Sequence, residues 1–365
     1  MRVVERALLV ALAPALGVWG CSSDDVAGDP AGTGADGAVA ALLVTVAVSD
    51  EVLRLDPRTG AVLARIPLDP RPSESDEPHG VAIAPGGDHW YATLAHGEPT
   101  LSKFETKGDR LVGRVSLRAA GAARVELARN GETAFVADYD RSRPGERGEV
   151  LAVHTRDLGV TARARVCPGP HHALPDPATG RVAVACSLGD EIVVLSATGL
   201  KEVVRFPVDS VPGEPGAPRF KPLNLAWSAD GQRLYVALHL ADRVRVFDPA
   251  GRMIGDVATG GRPAQLALSP DGATLVTANR ADGTLSVIDT RELSERARVD
   301  LEAEHPHGVA LDGDGSTVFV TCEGSTARPG RTVAVRLGPG EPEIAWSTET
   351  GPVPLGVAWA PAPNP

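Results

Sequence analysis

Three of the nine histidines stand directly after a proline, as Pro78-His79, Pro170-His171 and Pro306-His307, and the first and last of these continue into glycine. Neutral imidazoles that converge on one point suit copper or zinc, and a single imidazole can move a proton near neutral pH. His79, His171 and His307 with Glu323 and Cys322 would make a divalent metal set, for copper, zinc or calcium. A wider ligand site at the same place would draw on His79, His171, His172, His307, His239 and Asp138. A second account gives each imidazole nothing more than a hydrogen bond to a neighbouring backbone. Residue types alone leave both accounts open.

What brings these residues together is a repeat. Each copy is an apolar strand, a tight turn, a second strand, a variable loop, a third strand ending in Asp or another polar residue, a turn, and a fourth strand. The clearest runs Pro263-Ala264-Gln265-Leu266-Ala267-Leu268, Ser269-Pro270-Asp271-Gly272, Thr274-Leu275-Val276-Thr277-Ala278-Asn279 and Leu285-Ser286-Val287-Ile288-Asp289. First strands begin at Pro78, Ala122, Pro170, Pro222, Pro263, Pro306 and Pro354, at intervals of 41 to 52 residues. Four-stranded units at that period predict an all-β, seven-bladed β-propeller. The last first strand, from Pro354, has no blade after it, and the strands Leu42–Val48, Val52–Asp56 and Val62–Pro67 have none before them. Joining the two ends closes the ring and hides its edges.

In that topology the turns between first and second strands and between third and fourth strands share one face. Gly86-Gly87, Asn130-Gly131, Asp230-Gly231 and Asp271-Gly272 keep this face spare. The long connections, at 69–77, 139–148, 209–221 and 324–331, all fall on the other. Seven of the nine histidines go with them, all except His89 and His154. Because His79, His171 and His307 hold one repeat position, they are expected to meet at the mouth of the central channel.

Leu234-Tyr235-Val236-Ala237, Leu275-Val276-Thr277-Ala278-Asn279 and the strand ends Val246-Phe247-Asp248 and Val287-Ile288-Asp289 resemble the YVTN family of seven-bladed propellers, across residues 40–361. That resemblance implies the fold and little about activity, since the family takes in surface proteins, binding modules and lactonase relatives. Kinship with propeller lactonases and streptogramin lyases would make His307 a general base and His171 and Glu323 ligands of a divalent metal. The copper propeller of nitrous-oxide reductase is a poorer likeness, because only three of seven ring positions carry histidine here.

At the N-terminus, Arg2 and Arg6 precede an apolar run from Ala7 to Val18, the length of a signal-peptide core. Gly20-Cys21-Ser22-Ser23 resembles a bacterial lipobox, which implies a signal over 1–20 and lipidation of Cys21. Residues 21–39, rich in Gly, Ala, Asp and Ser, read as a tether. Residues 362–365 are a tail. The expected setting is the cell envelope, with the membrane touched through the lipid alone. Outside the cytoplasm Cys167 and Cys186, both on the looped face, either pair as a disulfide or pack as buried thiols.

Composition excludes some partners. A formal charge of −11 rules against nucleic acid, and 43% hydrophobic residues rule against disorder. No haem-attachment, zinc-protease, hydrolase-elbow or phosphate-loop motif occurs. Leu311-Asp312-Gly313-Asp314-Gly315 looks like the start of a calcium loop but falls where other repeats place a hairpin turn. The expected function is therefore a monomeric, lipid-anchored scaffold that binds a protein or small molecule through its looped face. The alternative is a metal-dependent lactonase or lyase, or a copper- or zinc-binding protein, using the histidine mouth.

Overall fold

The computed structural model describes residues 40–68, 76–325, 327–338 and 340–362. The expected signal, Cys21 and the tether lie outside the described residues. Seven four-stranded antiparallel sheets form the ring, and the first strands begin where the repeat places them, Pro78–Ile83, Ala122–Leu127, Pro170–Pro175, Pro222–Trp227, Pro263–Leu268, Pro306–Leu311 and Pro354–Ala360. The closing blade takes Pro354–Ala360 from one end and Ala41–Val46, Glu51–Leu55 and Val62–Pro67 from the other, with Leu42 opposite Trp359 and Val44 opposite Val357. We number the blades from this composite one, so Pro78 opens the second and Pro306 the seventh.

Inner strands are apolar on both faces because each blade packs against two others. The cluster of Tyr91 and Leu101 with Val125, Val136 and Leu151, for example, joins the second blade to the third. Outer strands face solvent on one side, and Ser294–Asp300 alternates exposed and half-buried residues along its length.

A space-filling rule runs around the inner ring. In three blades the third residue of the inner strand is glycine, and the facing second-strand residue is threonine: Gly80 with Thr93, Gly308 with Thr321, Gly356 with Thr45. Each threonine hydroxyl accepts from that glycine's N–H, at 2.9, 2.9 and 2.7 Å, and donates to a carbonyl of the next blade. A Cβ on Gly356 would lie 2.4 Å from the His79 carbonyl, so the glycine of Pro-His-Gly serves close approach between blades. The other four blades place Arg124, His172, Asn224 and Gln265 there, with Ala137, Ala185, Ala237 and Ala278 opposite. In the fourth and fifth blades the long polar side chain itself does the stitching. His172 Nδ1 accepts from Leu225 N at 3.1 Å, and Asn224 Oδ1 accepts from Leu266 N at 3.1 Å.

The disulfide forms: Cys167, ending the outer strand of the third blade, is bonded to Cys186 in the fourth, clasping two neighbours together. Cys322 is a buried free thiol in the core, and burial pushes it up to about 12, which keeps it protonated.

Candidate functional site

Seven equivalent backbone bonds build the mouth. The residue before each inner strand offers its carbonyl to the residue that follows the second strand: Glu77 to Ala95, Gly121 to Tyr139, Gly169 to Ser187, Lys221 to His239, Arg262 to Arg280, His305 to Glu323, and Val353 to Ala47, all at 2.7–3.1 Å. Aspartates on the same loops cap these segments. Asp190 accepts from the amides of Gly213, Arg219, Phe220 and Lys221, Asp50 from those of Asp76 and Glu77, and Asp242 from that of Arg262. Fourteen positions, twelve of them bearing side chains, are thereby set around one rim.

One step inward lie His79, His171 and His307. The His79 ring meets His171 edge-on at 6.2 Å between centroids and His307 at 5.8 Å. The convergence expected from the repeat is present. His171 Nδ1 lies 2.8 Å from Leu223 O, and His307 Nδ1 lies 3.3 Å from Leu355 O, each a carbonyl of the following blade. So the structural hydrogen bond and the convergence are both real, and the two accounts do not compete. Donating from Nδ1 leaves Nε2 of each ring as an acceptor. Burial holds His171 well below the usual imidazole range, helped by His79, and holds His307 at about 4 against the opposing pull of Glu323. Both are neutral at pH 7.

His79 differs. Its Nδ1 stands 3.6 Å from Glu77 Oε1, while the other oxygen of Glu77 is 3.0 Å from His96 Nε2. The His79 contact, together with charge on His96, draws the Glu77 carboxyl below its ordinary value despite burial. His79 Nε2 is buried and has no hydrogen-bond partner among the described residues. Tyr139 closes one side, edge-on to His171 at 4.9 Å. Glu77 and Tyr139 were missed in the sequence reading. Their only signal there was a place in long loops, one residue before an inner proline and one after a second strand.

Several expected site residues are engaged elsewhere. His172, expected at the mouth, is instead turned between blades. It is 2% exposed and bonded to Glu126 at 2.9 Å as well as to Leu225 N, because no glycine–threonine pair fills that level of the fourth blade. Burial opposes charge on Glu126, but Arg124 and His172 outweigh it and take that carboxyl to about 2. Asp138 belongs to the capping aspartates, accepting from Ala120 and Gly121 N at 2.9 and 2.7 Å, and burial raises its pKa. Glu323 reaches the rim but is held by Arg280 through two bonds of 3.1 and 2.6 Å. His239 is at the rim, with Nδ1 3.2 Å from Pro263 O. Burial lowers it to about 4, with Lys221 acting in the same direction.

As a metal set these side chains do not close. Nitrogens sharing one ion at 2.0–2.1 Å must lie within about 4.2 Å of one another. Among the described residues the one trio of His, Cys, Asp or Glu whose ligand atoms lie within 4.8 Å of one another is Cys167, Cys186 and Glu191, and the two cysteines are bonded together. The Cys322 thiol faces the core and Glu323 is bound to Arg280.

What fold and site define is a seven-bladed propeller with an imidazole cluster at one mouth. The chain belongs to the seven-bladed β-propeller lactonase family, whose model matches residues 51–327. No curated protein is a sequence match. Among solved structures, a periplasmic gluconolactonase of Pseudomonas aeruginosa is 20% identical, with a TM-score of 0.69 over 89% of this chain and 99% of its own. A candidate 6-phosphogluconolactonase of Bacteroides fragilis is 17% identical, with a TM-score of 0.68 over 91% and 99%. The hydrazine synthase of Kuenenia stuttgartiensis, 17% identical over 71% of this chain and 76% of its own, has a TM-score of 0.59. At these identities the likeness carries the fold.

Proposed function

We propose that the protein opens lactones by hydrolysis at the histidine mouth. The observation that carries this reading is His79 Nε2, buried, with no hydrogen-bond partner among the described residues, backed by Glu77 and flanked by two neutral imidazoles, in a chain of the lactonase family. A buried polar atom without a partner costs about 1–3 kcal/mol, so its persistence at a mouth favours a ligand. In the proposed step His79 Nε2 takes a proton from water as the water oxygen bonds to the lactone carbonyl carbon. The ring C–O bond then breaks, and the imidazolium returns the proton to the departing oxygen, giving a hydroxy acid. Glu77 offsets the charge His79 gains, and the Nε2 of one neighbouring ring, His171 or His307, accepts the second O–H of the water and orients it. This reading replaces the scaffold expected from sequence, since a passive surface gives no reason for a carboxylate behind an unpartnered imidazole.

The YVTN-type kinship and the Cys21 anchor belong to the same proposal: an envelope protein tethered by lipid. The Cys167–Cys186 disulfide supports an oxidising compartment.

The test is acid release from a panel of aldonolactones followed in a pH-stat. His79→Gln should lower kcat at least about 100-fold, the span of a general base, with an unchanged melting temperature. A folded wild-type protein that opens no lactone would return the mouth to a binding role.

A further inference from the structure

A cleft of about 410 Å³ opens on the face opposite the histidine mouth, at the seam between the seventh blade and the composite first. Its walls are the turn at 312–316 of the seventh blade, the turn at 56–61 of the first, and two indoles, Trp346 and Trp359. Of the four tryptophans among the described residues, Trp90 and Trp227 are 0% and 8% exposed, whereas these two are half-buried.

The pair departs from the repeat. The outer-strand position of Trp346 carries Ala64, Gly113, Ala162, Val204, Gly255 and Ala297 in the other blades. The inner-strand end where Trp359 stands is Leu127, Leu268 or Leu311 in three of them. Two other seams are filled from the turn. Leu158 and Leu293, at left-handed φ of 58° and 50°, lie over Gly113 and Gly255, where an added Cβ would be 3.1 and 2.3 Å from them. At this seam the sizes are exchanged. The turn supplies Gly60, at φ 73°, and a Cβ there would stand 2.5 Å from Trp346 Cε3. Trp346 packs on Phe319, with 6.0 Å between ring centroids, and donates its N–H to Pro57 O at 3.0 Å. With that N–H taken, what the indole has left to offer the cleft is apolar ring. Gly313 makes room for the second indole, since a Cβ there would be 2.7 Å from Trp359 Cη2.

The charged groups of the lining balance, Arg58 and Arg336 against Asp312 and Asp314. Each already has a partner within the chain. Arg58 lies 3.4 Å from Asp56 and Arg336 2.7 Å from Glu343. Asp312 accepts from Ser316 Oγ and Thr317 N, both at 3.1 Å, and Asp314 from Ser316 N at 2.9 Å. An ion would find no unmatched counter-charge here. Apolar rings bordered by balanced hydrogen-bonding groups fit a ligand that is apolar on its faces and hydroxylated at its edges.

We propose that this cleft binds an uncharged oligosaccharide, at a site separate from the lactone-opening mouth. A pyranose lays its C–H face on an indole, while its hydroxyls donate to the carboxylates and accept from the guanidiniums. The volume falls within the span of small-ligand sites, about 300–1,000 Å³. The inference goes beyond the lactonase reading and does not depend on it, because a saccharide held on this face leaves the mouth open on the other.

The test is titration of the mature chain with cellotetraose, maltotetraose and chitotetraose, followed by indole emission and by calorimetry. At least one should bind and shift the emission of wild type. Trp359→Leu, which installs the side chain three other blades use there, should weaken that binding about 10-fold or more, and Arg58→Met about 3-fold. Both variants should keep the wild-type melting temperature and the wild-type rate of lactone opening, and His79→Gln should bind the sugar as wild type does. Absence of binding by all three sugars overturns the proposal, and so does equal binding by wild type and Trp359→Leu. Loss of binding in His79→Gln also overturns it, by moving the sugar to the mouth. A wild type that takes no sugar but sediments as a dimer, with Trp359→Leu monomeric, gives the cleft to a second copy of the chain instead.

Discussion

Acid should unfold this protein earlier than its carboxylates alone would require, and the buried imidazoles set the window. His239 and His307 are each lowered from 6.5 to about 4, by burial first and then by neighbouring charge. Their folded values lie below their unfolded ones. The unfolded chain therefore binds more protons between pH 6.5 and 4, and stability rises with pH across that interval. The contribution is complete above about pH 6.5 and is lost as pH falls toward 4. A gap of about 2.5 units at ~1.4 kcal/mol per unit gives about 3 kcal/mol for each ring as an upper figure, less for His307 where channel water reaches it. His171 and His172 shift in the same direction and steepen the slope. Glu126, drawn to about 2 from 4.5, acts in a separate window: its contribution is present above 4.5 and disappears below it. Urea unfolding at pH 7.5, 6.0 and 5.0, at fixed ionic strength, reads this directly. Wild type should lose about 3–6 kcal/mol between the extremes, and His239→Gln should lose about 1–2 kcal/mol less. A flat profile over that range, or an identical slope in His239→Gln, would refute the assignment of buried neutral imidazoles.

Two predictions test the scaffold that holds the mouth. Gly356→Ala drives a Cβ to 2.4 Å from the His79 carbonyl and should cost about 2 kcal/mol or more by chemical denaturation; a cost below 0.5 kcal/mol would mean the inner strands yield. Opening the Cys167–Cys186 link by Cys167→Ala/Cys186→Ala frees a loop of separation 19 and should lower unfolding free energy by about 3 kcal/mol, with lactone opening retained at temperatures where the ring stays folded.

The inner-strand starts, the hairpin turns and the closure of the ring by both termini were all legible in the residues. They depend on local signals: prolines at strand starts, Asp-Gly and Asn-Gly turns, alternating apolar runs, and a period that only a ring absorbs. Convergence of His79, His171 and His307 was legible for the same reason, since one repeat position maps to one radius. The fate of the neighbouring residues was not. His172 follows His171 directly, yet period-two alternation turns it away from the channel, and Ala185 opposite leaves room for it to stitch two blades. Asp138 and Glu323 reach the right face, but one caps backbone amides and the other is claimed by Arg280. Those choices depend on hydrogen-bond partners 17 to 53 residues distant.

By itself the sequence determined the number of blades, the strand that closes them, and which imidazoles share a level, because each follows from spacing along the chain. Tertiary structure alone decided that His79 Nε2 is buried with no hydrogen-bond partner among the described residues, that His172 turns between blades to Glu126 and Leu225, and that Glu323 is claimed by Arg280. Charge compensation and burial are properties of neighbours in space, and in a propeller the nearest neighbours across the channel lie whole blades apart in sequence.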